Sequence, residues 1–482
     1  MRRFVCILIA TLTWALPGFA HHIKTGATKT MPVTTSSPKA RDLYERAMTD
    51  YENLYLERAN IGWRAAAQAD PNFALAYAWI AFNGRDPAEA TAAREKAKAL
   101  AAKATRGEQL MIQWITNVQE TRFIPGIAAM NDLLEMYPKD KRLVYLVGNW
   151  LMLVGDYERA GKLFERALAI DKNYPAALND LAYAYARDRE FPKAFDAMQR
   201  YIAVLPNQPN PQDSYAEILR MSGNFDGALD HYRAALKIDP GFISSQLGLA
   251  DTYALMGQYD LARTEYDKAI QGAYTDADRL DYSLQKAATW AREGNLAEAD
   301  KAYLAVADRA HALTINFEEA QAHRSMSLYQ TDDTVGLQHL EAAESALAHQ
   351  ANIAQSDKDQ ELARILQYRA ARATHSGNQE LADRTLRQLE TLAGTSRDKI
   401  VQSCYHGAAG AMLVAKQKFT DAIPHLEEDR DNPYSMELLS RAYSETGSSD
   451  KMHEVEARLR ATNLATIEQA MVVPAARARR PQ

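Results

Sequence analysis

The chain has two cysteines in 482 residues, Cys6 and Cys404. Cys6 lies early in an apolar leader, so once that leader is removed Cys404 has no partner and no intramolecular disulfide is possible. The fold must be held by packing. Helical metal chemistry lacks its motifs as well. None of the eleven histidines stand three or four apart, and none has glutamate three residues before it. That excludes the His-Glu-x-x-His pattern of zinc proteases and the Glu-x-x-His pair of di-iron bundles. A glycine-rich phosphate loop, a dinucleotide fingerprint and a nucleophile elbow are all missing. Ser-x-x-Lys occurs four times, first at Ser36 to Lys39, without the companion motifs that would make it catalytic. No cofactor or metal is expected. A formal charge of −6 with no basic stripe argues against nucleic acid.

Present instead are 47% hydrophobic and 24% charged residues, enough to bury a core. Arg2 and Arg3 precede an apolar run from Phe4 to Leu16, then Pro17, Gly18 and Ala20. This is a secretory pattern, and cleavage is expected between Ala20 and His21. The run is shorter than the roughly 20 residues of a bilayer span, and no later stretch is apolar enough. The mature chain is therefore expected to be exported, periplasmic or secreted, without a transmembrane segment. Residues 21–39, rich in threonine, serine and lysine, read as a flexible leader. Residues 467–482 read as a terminal segment whose tail, with Arg477, Arg479 and Arg480, is basic and free.

Between these ends the chain repeats every 34 residues from Lys141 to Asp276, in the units 141–174, 175–208, 209–242 and 243–276. The eighth position is Gly148, Ala182, Ala216 and Ala250, and the twentieth is Ala160, Ala194, Ala228 and Ala262. Two antiparallel helices approach closely only where both carry small side chains, which these positions supply. Gly155, Arg189, Gly223 and Gly257 mark the turn between helices, and Pro206 and Pro240 end the second helix. The pattern predicts a helix, a tight turn and a second helix per unit.

Small residues at 8 and 20, aromatic or apolar residues at 11 and 24 and proline near 32 resemble the tetratricopeptide-repeat (TPR) family. Weaker copies run from Ala40 to Phe73 and from Gly107 to Asp140, and degenerate ones extend through Gly294, Gly377, Phe419 and Tyr443. The resemblance implies an all-α, right-handed superhelical solenoid of about eleven repeats and a terminal helix. An N-terminal array would span 40–276 and a degenerate C-terminal array 277–466. Beyond Asp276 the register slips by three residues, which suggests a longer connecting turn there.

Family members line their concave face with first-helix positions 2, 5, 9 and 12. Carried over where the register holds, the resemblance places a partner groove at Tyr145, Asn149, Asn179, Tyr183, Asp213, Glu217, Arg220 and Asp251. The clamp for a terminal carboxylate is absent, because Tyr145 stands where it needs lysine. Acidic Asp213, Glu217 and Asp251 favour a protein or peptide segment with basic or amide groups, with Tyr145 and Tyr183 offering apolar faces. Cys404 and His406 diverge on a helix and read as packing. The reading is a non-catalytic interaction scaffold resembling exported bacterial arrays. The alternatives are an envelope enzyme with a motif-free site, and a protein that binds a carbohydrate or other small ligand.

Overall fold

A computed structural model describes residues 30–479 except 54, 85, 86, 121, 154, 351, 352 and 397. The expected cleavage point at Ala20 and His21, Cys6 and residues 21–29 of the leader lie outside the described residues. Every regular element among the described residues is a helix. The first pairs are α1 (Pro38–Glu52) with α2 (Leu56–Ala69), α3 (Ala74–Asn83) with α4 (Pro87–Leu100), and α5 (Arg106–Gln119) with α6 (Phe123–Met136). The four regular units follow: α7 (Lys141–Leu153) with α8 (Tyr157–Ile170), α9 (Pro175–Arg187) with α10 (Phe191–Val204), α11 (Pro209–Ser222) with α12 (Phe225–Ile238), and α13 (Ile243–Leu255) with α14 (Tyr259–Gly272). Next come α15 (Asp276–Glu293) with α16 (Leu296–Leu313), α17 (Asn316–Tyr329) with α18 (Asp333–His349), and α19 (Gln355–His375) with α20 (Gln379–Thr395). The last are α21 (Lys399–Ala415) with α22 (Phe419–Glu428), α23 (Pro433–Glu445) with α24 (Ser449–Arg460), and a single α25 (Ile467–Ala478). The chain is an all-α repeat array.

Local chemistry starts and stops these helices where the sequence predicts. Proline opens α9 and α11, where its missing N–H costs nothing. The side chains of Asp156, Asn224 and Asn295 cap α8, α12 and α16. Gly155, Gly223 and Gly257 turn the chain at φ of 77°, 90° and 76°, a left-handed conformation that glycine adopts without a Cβ clash. Arg189 adopts φ 61° in the same role despite its side chain. Ala160, Ala194, Ala228 and Ala262 are all fully buried, as close helix packing requires. At Gly148 a Cβ would sit 2.6 Å from Phe164 Cε1, so the eighth position of that unit has room only for glycine.

The described residues form twelve helix pairs, in keeping with about eleven repeats; the additional pair is α17–α18, which turns through Gln330 to Asp332, with Asp332 as cap, and carries no glycine marker. Three expectations are corrected. The slip after Asp276 comes from a longer helix: α15 has 18 residues against 13 in α13, and its connector is short. The leader is ordered from Thr30. Met31 N donates to Asp140 Oδ2 at 2.8 Å, and Thr34 N and Oγ1 donate to the two Glu108 oxygens, each at 2.6 Å. Satisfied backbone donors hold this stretch against the starts of α5 and α7. Finally, the basic tail is not free: Arg477 donates to Asn463 Oδ1 at 2.6 Å and Arg479 pairs with Glu437, while Arg480 lies outside the described residues.

Candidate functional site

The face built by α7, α9, α11 and α13 brings the expected groove residues together, in a ladder of polar contacts rather than a row of free side chains. Asp180 is the hub at one end. Asn149 Nδ2 donates to its Oδ2 at 3.0 Å and Asn179 Nδ2 to its Oδ1 at 2.9 Å. Burial pushes the Asp180 carboxyl above its ordinary range, while hydrogen bonds from Asn179, Asn149 and Tyr145 pull it back. Tyr145 is 3% exposed, with its ring centroid 5.8 Å from Phe164 and 5.6 Å from Tyr174. It belongs to the core. The expectation that it offers an apolar face to a partner is therefore corrected, because the rings of Phe164 on α8 and of Tyr174, which precedes α9, already occupy that face.

At the other end, Tyr183 OH donates to Glu217 Oε2 at 2.6 Å, and Arg220 Nη2 donates to Glu217 Oε1 at 3.5 Å. Arg220 also pairs with Asp251, which accepts in turn from Tyr266 OH. Ser245 Oγ donates to Asp213 Oδ1 at 2.6 Å. Each bond of the ladder links successive first helices, except those within α9 and α11 and that from α14. The strip is thereby rigid. Asp213 and Glu217 remain partly accessible, Glu217 with about a third of its side chain exposed, whereas the Arg220 side chain is buried. Burial raises the Asp213 carboxyl to about 7, with the nearby Glu217 charge adding to the rise and Ser245 and Arg220 opposing it.

Sequence reading missed Asp180, Ser245 and Tyr266. Asp180 falls at the sixth position of its unit, outside the positions carried over, and the visible signal was an acid set between Leu178 and Leu181. It also missed two imidazole pairs, His406 Nδ1 to His425 Nδ1 at 2.9 Å and His323 Nδ1 to His339 Nδ1 at 3.2 Å. Their members lie 19 and 16 residues apart on paired helices. Burial lowers all four below the usual histidine range. Cys404 is 4% exposed and its thiol is pushed well up by burial, the opposite of an activated nucleophile. Among the described residues no three His, Cys, Asp or Glu side chains converge as a metal site, and no helix is long and apolar enough to cross a membrane.

The tetratricopeptide-repeat family model matches residues 151–218 and 219–288, which hold the strip from Asn179 to Asp251. This is a tetratricopeptide-repeat protein. A TPR array is a scaffold for protein–protein interaction. Over 147 residues the chain is 22% identical to the TPR repeat-containing protein YpiA of Bacillus subtilis, covering 30% of this chain and 35% of YpiA. Over 172 residues it is 25% identical to the human protein O-mannosyl-transferase TMTC1, covering 34% of this chain. It spans 19% of that human protein's length. Among solved structures, MamA is 22% identical over 35% of this chain and 91% of its own, with a TM-score of 0.30. The TPR protein YrrB is 17% identical over 37% of this chain and 91% of its own, at 0.27.

Proposed function

We propose that this chain is a non-catalytic, exported scaffold that binds a partner segment along the first-helix face of its regular repeats. The observation that carries the reading is the preorganised acidic strip. Tyr183, Arg220, Ser245 and Tyr266 fix the carboxylates of Asp213, Glu217 and Asp251 on successive helices, so a partner need not pay to order them. Glu217 keeps exposed surface, and Asp213 sits beside it. A segment rich in amide or basic groups complements that charge. Export rests on the secretory pattern before His21.

Site-directed photocrosslinking tests both parts of the reading. A crosslinker at Glu217, placed in full-length protein in its native envelope, should capture a defined partner peptide that one at Leu261 does not. Leu261 is an exposed second-helix residue, 48% accessible. Equal capture at both positions would refute the strip, and Met1 retained on the captured exported protein would refute cleavage after Ala20.

A further inference from the structure

The last helix does not simply cap the array. It packs on α24, which it follows, but it also lies against α15, α17 and α23, which are first helices of three different pairs. Its Ile467 and Ala470 join the buried cluster of α15 to α17, and its Val472, Val473 and Ala476 pack with Met436 of α23 and Leu459 of α24. Residues of the chain are thus seated across the first-helix face of the C-terminal repeats as a bound helix would be.

The seat is charged at one end. Arg292 donates to the Gln469 side chain and, at 3.2 Å, to the Thr466 carbonyl that precedes α25. Arg324 Nη1 reaches Glu468 at 3.4 Å, and Tyr368 OH donates to the same carboxylate oxygen at 3.0 Å. From below, Arg324 Nε is held by the fully buried Glu361 at 2.6 Å. That lower pair involves no atom of α25. Part of the seat is therefore built from α17 and α19 alone.

The occupant, by contrast, is poorly equipped to be a helix alone. It has 12 residues, near the lower limit for a helix in water, and Pro474 inside it removes a backbone donor. Beyond Ile467 its buried apolar side chains are only alanine and valine, and the link to α24, from Ala461 to Thr466, is not helical. Helix formation in α25 depends on the seat.

We propose that the first-helix face around Arg292, Arg324 and Tyr368 is a helix-binding site that α25 occupies reversibly, in competition with a partner helix of the same chemistry. That partner carries a carboxylate and an amide in its first turn, followed by a stripe of small apolar residues at i, i+3 and i+6. The proposal rests on the scaffold reading but concerns the first helices of the C-terminal repeats rather than those that carry the acidic strip, and each has its own test.

Hydrogen exchange of the full-length wild-type chain is the first test. Amides of α25 should exchange at least tenfold faster than those of α15 and α17. Exchange of α25 in step with those helices would make it a permanent part of the core and overturn the proposal. The second test uses a fluorescent peptide with the sequence of residues 464–479. The full-length Glu468→Arg variant sets like charge against Arg324 and should lose protection in α25 alone and bind the peptide at least tenfold more tightly than wild type. Glu468→Gln, a milder change that keeps the seat intact, should fall between them. Release of α25 in either variant without a gain in peptide binding would also overturn the proposal.

Discussion

Arg220 on α11 forms an ion pair with Asp251 on α13, the first helix of the next repeat. The Arg220 side chain is almost fully buried and Asp251 nearly so, with accessibilities of 7% and 18%. The pair joins two repeats that are also linked by the Ser245 to Asp213 hydrogen bond. Because its partners also include Glu217 and Tyr266, a change at one member disturbs the whole ladder.

Asp251→Ala is therefore expected to lower stability by about 3 to 5 kcal/mol, since it leaves a buried guanidinium without its main counterion. Urea denaturation measures this. The double variant Arg220→Met with Asp251→Leu should be less damaging than the single change, because no charge is then left buried alone. A single variant as stable as wild type would show that the pair contributes nothing.

Ala228 is fully buried in a cluster with Ala216, Leu219, Leu229, Tyr232 and Leu249. Ala228→Leu should cost about 1 to 3 kcal/mol through overpacking. The expected result is a lower denaturation midpoint with an unchanged slope. A midpoint equal to wild type would mean that the helix contact at position 20 is loose.

Arg189 holds φ at 61° where the equivalent turns use glycine. Arg189→Gly should raise stability by about 1 kcal/mol, because the left-handed conformation penalises a Cβ and glycine escapes it. The cation–π contact of Arg189 with Phe191, at 5.7 Å, opposes part of this gain. Thermal denaturation should show a rise, and a fall would mean that the contact outweighs the strain.

Asp213 is raised to about 7 in the folded chain, while an unfolded aspartate titrates near about 3.9. The folded state therefore binds the proton more tightly, and the resulting stability is fully present below about pH 4 and lost as pH rises through about 7. Asp213→Asn removes the titration. Between pH 5 and 8 the stability of wild type should fall more steeply than that of the variant. Parallel curves would contradict the assignment. Glu318 and Asp429 are also raised to about 7 and shift both proteins equally, so the difference isolates Asp213.

Most of the fold was legible because packing of paired helices leaves a period. Small residues at Ala160, Ala194, Ala228 and Ala262 recur since each occupies the same close contact. The pair α17–α18 escaped because Gln330 to Asp332 turns the chain without a glycine. The seat of α25 left no local signal: Arg292 and Arg324 meet Gln469 and Glu468 across more than 140 residues of sequence. For the candidate site, position alone placed Asp213, Glu217, Arg220 and Asp251 on one strip, but not their mutual pairing. Exposure was misjudged for the same reason. A double alanine change at Asp213 and Glu217, which looks harmless on an open helix face, would strip acceptors from Ser245, Tyr183 and Arg220. The isosteric pair Asp213→Asn with Glu217→Gln removes the charge and keeps the shape.

That isosteric variant supplies the most direct test of the scaffold account. Once crosslinking at Glu217 has captured a partner peptide, its affinity for wild type and for the folded double variant is measured by titration over a range of salt concentrations. The account predicts weaker binding by the variant and a shallower dependence on salt, as complementary charge requires. Equal affinity and an equal salt slope in the two proteins would contradict it.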